Sequence, residues 1–483
     1  MATWKRQMND LPSKMELDKA IASFSLFNFI KEAWHVLEYG RELKIGWPIE
    51  AMCEHLQAVT DGELNRLLIN IPPGSSKSLT VGVFWPAFEW IKDPTKRFIG
   101  TSHNQNLAIR DNRKCRTLIE SSWYQELFGT HFKLTGDQNA KGKFENDKSG
   151  FRESMAFESM TGSRADTVIL DDPHSVSDAA SSKKLASAIE TFNEALPTRL
   201  SDPKNSSIVV VMQRLNEGDV SGEILSRDLG YEHLCIPMEF EPERKCYTSI
   251  GWEDPRQIEG ELFFPTRFSA EVVERDKKVM GSHATAGQFQ QRPAQRGGNI
   301  FKEEWFKYWS VEPLIKHRTI YADTASKTAT HNDYSVFQCW GKTENNQAIL
   351  LDQVRGKWEA PELKVKARAF WNKHKDIKNG PLRAMKVEDK SSGTGLIQEL
   401  KREGIPIIPI PRNTDKIERA YDVTPAMESG NVFLPQSSEW LSDFLKEATA
   451  FPAGNHDDQL DPMMDAISDI MLKVEKSYSI RTL

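Results

Sequence analysis

The chain has 483 residues, 39% hydrophobic and 27% charged, with 63 Lys and Arg against 69 Asp and Glu for a formal net charge of -6. That length calls for about two to four domains, and the composition is that of an ordinary soluble globular protein. The mild acidity argues against a protein that simply coats nucleic acid, which is usually basic, so any DNA contact must use local basic stripes or be transient.

From Lys5 to about Glu50 the pattern is amphipathic and helical, as in KAIASFSLFNFIKEAWHVLEYG. From 51 to 245 the strand candidates RLLINIP, KRFIGTS, DTVILDD, SSIVVVMQ and EHLCIPM alternate with helical stretches. That alternation predicts an α/β domain with a parallel, doubly wound sheet. Residues 246–300, rich in charge, Gly and Pro and ending in QRPAQRGGN, read as a linker or small subdomain. In 301–472, RTIYADTA, YSVFQCWG and QAILLDQVRG follow one another closely, as in an antiparallel meander. Then come a helix (APELKVKARAFWNKHK), a strand (LRAMKVED), a helix (GTGLIQELKREG), a strand (IPIIPIP) and a last helix through DDQLDPMMDAISDIMLKV. That is the order of an RNase H-like domain. Residues 473–483 read as a flexible tail. The longest aliphatic runs, such as SIVVVM, are strand-sized, so no membrane span is expected. The opening residues carry no apolar signal-peptide core. Cys53, Cys115, Cys235, Cys246 and Cys339 form no C-x-x-C pair, so neither a disulfide framework nor a zinc site is indicated. A reducing cytoplasm is the expected compartment.

RLLINIPPGSSKSLTVGVFW, Arg66 to Trp85, runs from a strand through a Pro-Gly-Ser turn into a helix. Against the phosphate-binding pattern G-x-x-x-x-G-K-[ST], Lys77 and Ser78 fit, while Ile71 and Ser76 hold the glycine positions. The chemistry needs exposed N–H groups in a tight turn and a helix N-terminus facing the phosphates. Gly74 supplies backbone freedom, and Ser75 and Ser76 are small enough for an anion to approach. Lys77 would reach the terminal phosphates, and the Ser78 hydroxyl would hold Mg²⁺. The plain alternative is a helix capped by Ser75 or Ser76.

TVILDDPHS is the matching Walker B arrangement, with Asp171 for the metal and Asp172 to orient the attacking water. The second acid is usually Glu, and Asp is shorter. An Asp-Asp-Pro turn at a strand end is the competing explanation; loop and acid pair together, in this order, favour a nucleotide. In VMQRLNEGD, Gln213 would sense the γ-phosphate and Arg214 would pair with an oxyanion, unless both only cap the strand. Arg164 is a candidate arginine finger, in cis or on a neighbouring subunit, and Arg110 and Arg113, spaced i, i+3, compete with it.

Two-metal phosphodiester hydrolysis needs several carboxylates converging on ions about 4 Å apart. Asp323 sits amid apolar neighbours at the centre of the first strand candidate, where a carboxylate is costly unless paired. Glu388 and Asp389 end the later strand, and a shift of one residue would exchange which of them points inward. Asp457, Asp458 and Asp461 open the last helix, where 457 and 461, or 458 and 461, share a face. Acids at a helix N-terminus are also favoured by the dipole alone.

NIPPGSSKS, VILDDP and VVVMQRLNEGD, followed by an acid-bearing C-terminal domain, resemble the large subunit of a tailed-phage terminase over about residues 45–470. The resemblance implies an N-terminal P-loop ATPase of RecA/ASCE type and a C-terminal RNase H-like nuclease. It implies ATP-driven translocation of double-stranded DNA into a procapsid and metal-dependent cutting of concatemeric DNA, with ATP and Mg²⁺ as cofactors and Mn²⁺ as an alternative at the nuclease site. Carried onto this sequence, the metal-holding acids are Asp323, Glu388 and Asp458, with Asp457 beside them; His456 assists or caps. Lys390 and the small residues of SSGTG would line DNA phosphates. LKVKARAF and NKHKDIK are basic stretches that contact DNA or are solvated faces. The implied partners are DNA, the small terminase subunit and the portal protein, on which a homo-oligomeric ring would form and the tail dock, with a monomer in free solution as the alternative. The implied location is the host cytoplasm and, transiently, the portal vertex, but not the mature virion. A helicase-nuclease of DNA repair or phage defence is a second reading, but 246–300 is too short for the further RecA-like domain it needs. A portal-docking or small-subunit-docking scaffold is a third; the degenerate P-loop favours it, and intact Lys77, Ser78, Asp171 and acids oppose it.

Overall fold

The computed structural model describes residues 13–136, 141–160, 162–293, 299–324, 334–389, 391–412 (391 and 392 as backbone), 414–454 and 456–472. The chain divides into two compact units, 1–277 with 282–296, and 278–281 with 297–483. Lys390 and the tail 473–483 lie outside the described residues.

In the first unit, α1 (Lys14–Phe24) starts at a Ser13–Glu16 capping box, and α2 (Leu26–Leu37) at a Ser25 cap. α2 buries Phe29 among the rings of Phe84, Phe88, Tyr124 and Phe128. α3 (Trp47–Thr60) carries Pro48 in its first turn. After β1 (Arg66–Asn70), the helical turn Lys77–Leu79 runs through a π-turn, Thr80–Phe84, into α4 (Trp85–Lys92). There follow β2 (Phe98–Ser102), α5 (Gln105–Glu120), α6 (Ser122–Phe128), β3 (Lys143–Glu145), β4 (Phe151–Ala156), β5 (Thr167–Asp171), α7 (Ser182–Glu190), β6 (Ser207–Met212), α8 (Val220–Ser226) and β7 (Glu232–Cys235). The sheet order is β3-β4-β2-β5-β6-β1-β7, parallel except where β3 meets β4. Every residue of β2, β5 and β6 is buried, as parallel strands covered on both faces require.

The five apolar strands are the ones anticipated. β3 and β4 are not, because FRESMA carries charge: Arg152 is buried and donates to Asn112 Oδ1 (2.7 Å) and to the Gly82 carbonyl. Residues 246–277 are folded rather than an open linker. Arg256, 2% exposed, holds Asp254 through two nitrogens (3.0 and 2.6 Å), donates to the Pro237 carbonyl (2.9 Å), and packs its guanidinium against Trp47 and Phe240. α9 (Ala270–Ala284) breaks at Gly281, whose φ is 75°.

The second unit comprises β8 (Lys307–Trp309), β9 (Ile315–Asp323), β10 (Ser335–Thr343), β11 (Ala348–Gly356), α10 (Ala360–Lys375), β12 (Leu382–Glu388), α11 (Ser391–Arg402), β13 (Ile407–Ile410), α12 (Lys416–Glu428), β14 (Val432–Pro435), α13 (Leu441–Ala450) and α14 (Leu460–Ile467). The sheet order is β13-β12-β9-β10-β11-β14-β8, with β9, β10 and β11 antiparallel and the other pairs parallel. One face buries α12, α13 and α14 through Met427, Phe444 and Met463; the other buries α10 and α11 through Phe370 and Leu400. Asp323 is the last residue of β9, not its centre.

Candidate nucleotide and acid sites

β1 delivers the chain to Gly74, φ 78°, and then to Ser76, φ 65°. Ser76 thus adopts the left-handed backbone that glycine usually supplies in this loop, a conformation costly for other residues. It begins the helical turn without a side-chain cap, so helix capping does not account for the serines. Lys77 is buried and reaches Asp172 Oδ1 at 2.8 Å. Asp172 itself has φ 44° and also accepts from the Gln213 backbone N–H at 3.3 Å. Burial and then the Asp172 charge push Asp171 up to about 7, against Lys77 and a hydrogen bond from Ser78. Ser75 Oγ, Asp171 Oδ1 and Gln213 Oε1 are buried without hydrogen-bond partners. Orphaned polar atoms on the turn, on β5 and just beyond β6 are what a phosphate with a hydrated cation would satisfy. Ser78 and Asp171 would hold that cation.

The arginines fall differently from expectation. Arg214 is buried, with Nε on both oxygens of Asp219 (2.9 and 3.1 Å), while Asp219 also accepts from the backbone of Leu215, Asn216 and Gly222. It fastens its own turn, so the oxyanion role is withdrawn. Arg164 is exposed and precedes the N-terminal end of β5, whereas Asp171 ends that strand. Four strand steps of about 3.3 Å separate the two ends, so Arg164 lies toward the end of β5 opposite Asp171, which argues against a finger in cis. Arg110 pairs with Asp111 (2.8 and 3.1 Å), and both carry charge close enough to act on Asp171. Arg113 is exposed one turn further on. Asp111 escaped the sequence reading because nothing in NLAIRDNRKCRTLIE marks which acid faces the sheet.

In the second unit, Asp323 and Glu388 end adjacent parallel strands. Glu388 is buried, whereas Asp389 is exposed and accepts from the Thr394 hydroxyl at 2.9 Å, so the strand alternation selects Glu388. Asp461, in the first turn of α14, is the acid whose charge reaches this pair. Burial, then Asp461 and Glu388, hold Asp323 well above the usual carboxylate range, against Lys416 and Arg412. Asp461 is held below that range: although burial opposes it, Lys416 (2.7 Å) and Arg419 (2.5 Å) pair with it. Asp458 turns to Arg355 at 3.3 Å, and Asp457, half exposed, pairs with Lys416 at 2.9 Å. The acid nearest the pair is therefore Asp461 in place of Asp458 and Asp457. His456 is exposed, its Nδ1 4.0 Å from Asp458 and its ring edge-on to Tyr334.

A basic element, unread in the sequence, faces these acids. Arg412 binds Asp465 through two nitrogens (2.6 and 2.7 Å) and lies 3.2 Å from Glu388. Asp469 accepts from Tyr321 (2.7 Å) and Lys386 (2.6 Å), so Asp461, Asp465 and Asp469 form one stripe at spacing four. Among the described residues no three His, Cys, Asp or Glu side chains stand as a ready-made metal cage; Arg412, Lys416 and Arg419 pair with the acids instead. The mutual repulsion left at Asp323, Glu388 and Asp461 is what divalent ions would relieve, and on that ground the donor set fits them.

The family model described as the Terminase RNaseH-like domain matches residues 320–469. The large terminase of a thermophilic bacteriophage is similar at TM-score 0.50 and 12% identity, over 91% of this chain and 98% of that one. The complex of that phage's enzyme with ADP is similar at TM-score 0.51 and 11% identity, over the same shares. The chain has the fold of a large terminase. No curated protein matches it. At such identities the likeness speaks for the fold, and the chemistry of the chain must be argued from its own side chains. Among the described residues, no helix of the chain is long and apolar enough to cross a membrane.

Proposed function

We propose that the chain is the large subunit of a tailed-phage terminase, hydrolysing ATP in its first unit to move double-stranded DNA and cutting that DNA in its second. One observation supports this above the others: each of its two sheets ends in mutually repelling carboxylates, the buried Asp171 beside Asp172 and Asp323 beside the buried Glu388, whose charge cations would relieve. Lys77, now on Asp172, would turn to the terminal phosphates. That frees Asp172 to accept a hydrogen bond from the attacking water, with the orphaned Gln213 Oε1 beside it. Ser78 and Asp171 would hold the nucleotide's cation, and Asp323, Glu388 and Asp461 would hold the ions at the phosphodiester, with Arg412 tying Glu388 to Asp465 on α14. Mg²⁺, when bound, supplies charge neutralisation at the triphosphate and an acidified water at the phosphodiester.

The reading is tested with the full chain, Mg²⁺ or Mn²⁺, ATP and supercoiled plasmid. Lys77→Ala is expected to abolish ATP hydrolysis and spare cleavage, and Asp323→Ala to do the reverse. ATP hydrolysis absent from wild type and Lys77→Ala alike, with DNA present, would favour the scaffold reading. The small terminase subunit and the portal protein as partners, ring assembly on the portal, and passage from the host cytoplasm to the portal vertex follow from the terminase resemblance and belong to this proposal.

A further inference from the structure

A cleft of about 580 Å³ opens in the first unit between the C-terminal end of α2 and the outer face of α5. Its floor includes Val36 and Ile109, and four cations line it: Arg110, Arg113 and Lys114 from α5, and Lys141. Two of the four are partnered, Arg110 by Asp111 at 2.8 Å and Lys114 by Glu38 at 2.9 Å, and Glu38 lies 3.7 Å from Arg41 as well. Arg113 and Lys141 are exposed and have no carboxylate within ion-pair distance among the described residues. The cleft therefore carries two positive charges in excess on a chain whose net charge is -6. Concentrating like charge in a concave site disfavours the empty state and favours a polyanion.

We infer that this cleft is a DNA-backbone site on the motor unit, with Arg110, Arg113, Lys114 and Lys141 receiving successive phosphates of the duplex. The inference rests on the DNA-handling function proposed above and assigns part of it to a surface. The length of the site favours a polymer over a free nucleotide. The lining face of α5, from Asn106 to Thr117, extends about 17 Å at 1.5 Å per residue, more than one phosphate group occupies. Its cations recur at i, i+3 and i+4, a row along one helix face. The site also has a line to the chemistry. A phosphate that draws Arg110 away from Asp111 leaves that carboxylate uncompensated behind Asp171, so DNA in the cleft would alter the charge felt at the hydrolysis site.

The test measures binding of the full chain to a fluorescent 30-base-pair duplex by anisotropy in EDTA, across a salt series. For Arg113→Glu with Lys141→Glu, the dissociation constant is expected to rise at least about fivefold near 0.1 M salt. The slope of log affinity against log salt should fall by about two, one for each phosphate no longer neutralised. The neutral pair Arg113→Gln with Lys141→Gln should show the same slope change with a smaller affinity loss, which separates the missing cations from repulsion or misfolding. Affinity and slope equal to wild type in both variants would overturn the inference. So would loss of a second ADP or pyrophosphate site, read by calorimetry, with duplex binding intact, since the cleft would then hold a small anion. A wild-type chain that neither hydrolyses ATP nor cuts DNA counts against the proposed function instead, whatever these variants do.

Discussion

Asp171 is buried at the tip of β5 beside a second carboxylate, and its protonated form is favoured up to about pH 7. An unfolded aspartate releases its proton near pH 4. The native chain therefore holds a proton that the unfolded chain loses across that window, and the stability this group contributes declines as pH rises from about 4 to 7. Asp171→Asn keeps the neutral form. Without Mg²⁺ it should raise the melting temperature of the chain at pH 8, by a stability on the order of a few kcal/mol, with the advantage vanishing toward pH 4. Thermal scans at the two pH values check this; a variant no more stable than wild type at pH 8 contradicts it. Among the acids of the proposed nuclease site, changes beside a metal ligand would cost about 10–100-fold. Asp458→Asn should fall in that range and Asp461→Asn beyond it, as read by plasmid cleavage at saturating Mn²⁺. Sequence reasoning reached Asp323 because a lone carboxylate in an apolar strand has no ordinary excuse. It could not choose within HDDQLD, because three acids at a helix start satisfy the same spacing. The choice is made by Lys416 and Arg419, which the chain brings from some forty residues away.

At the scale of elements, the start of α14 is held by a buried clasp of amides. Gln338 on β10 donates to Gln353 Oε1 on β11 (2.7 Å), Gln353 donates to Gln459 Oε1 (2.6 Å), and Gln459 donates from its backbone and side chain to Glu447 on α13 (2.7 and 2.8 Å). All four are nearly inaccessible to solvent. Since Gln459 sits two residues before Asp461, the clasp sets where that acid emerges. Gln353→Leu leaves one N–H of the Gln338 amide unpaired (the other still donates to the Gln459 backbone carbonyl at 2.9 Å) together with Gln459 Oε1, at about 1–3 kcal/mol for each buried group. Urea denaturation should show that loss, and an unchanged midpoint would argue that the network relaxes. The long apolar strands, the helices that follow β11 and β12, and the last helix, α14, were legible because their periodicity is strong. α12, α13, β8 and β14 were not: β8 and β14 are short, and α12 contains Pro425, which reads as a breaker.

At the scale of the whole molecule, each unit has its own sheet, core and acid site, which is why Lys77→Ala and Asp323→Ala are expected to separate the two activities cleanly. The division of the chain was visible in sequence as a change from alternating strand and helix to a meander. The folded state of 246–277 was not, because a core built around the Arg256–Asp254 pair carries no apolar signature.

Under the proposed function, the contact between Lys77 and Asp172 is a defined resting condition for the first unit. While that lysine is engaged with the neighbouring acid, the candidate base is spoken for. Only a ligand rich enough in negative charge to outbid an aspartate can release it. On that proposal, departure of the spent product would restore the original bond, and the same few atoms would both arm the site and return it to rest.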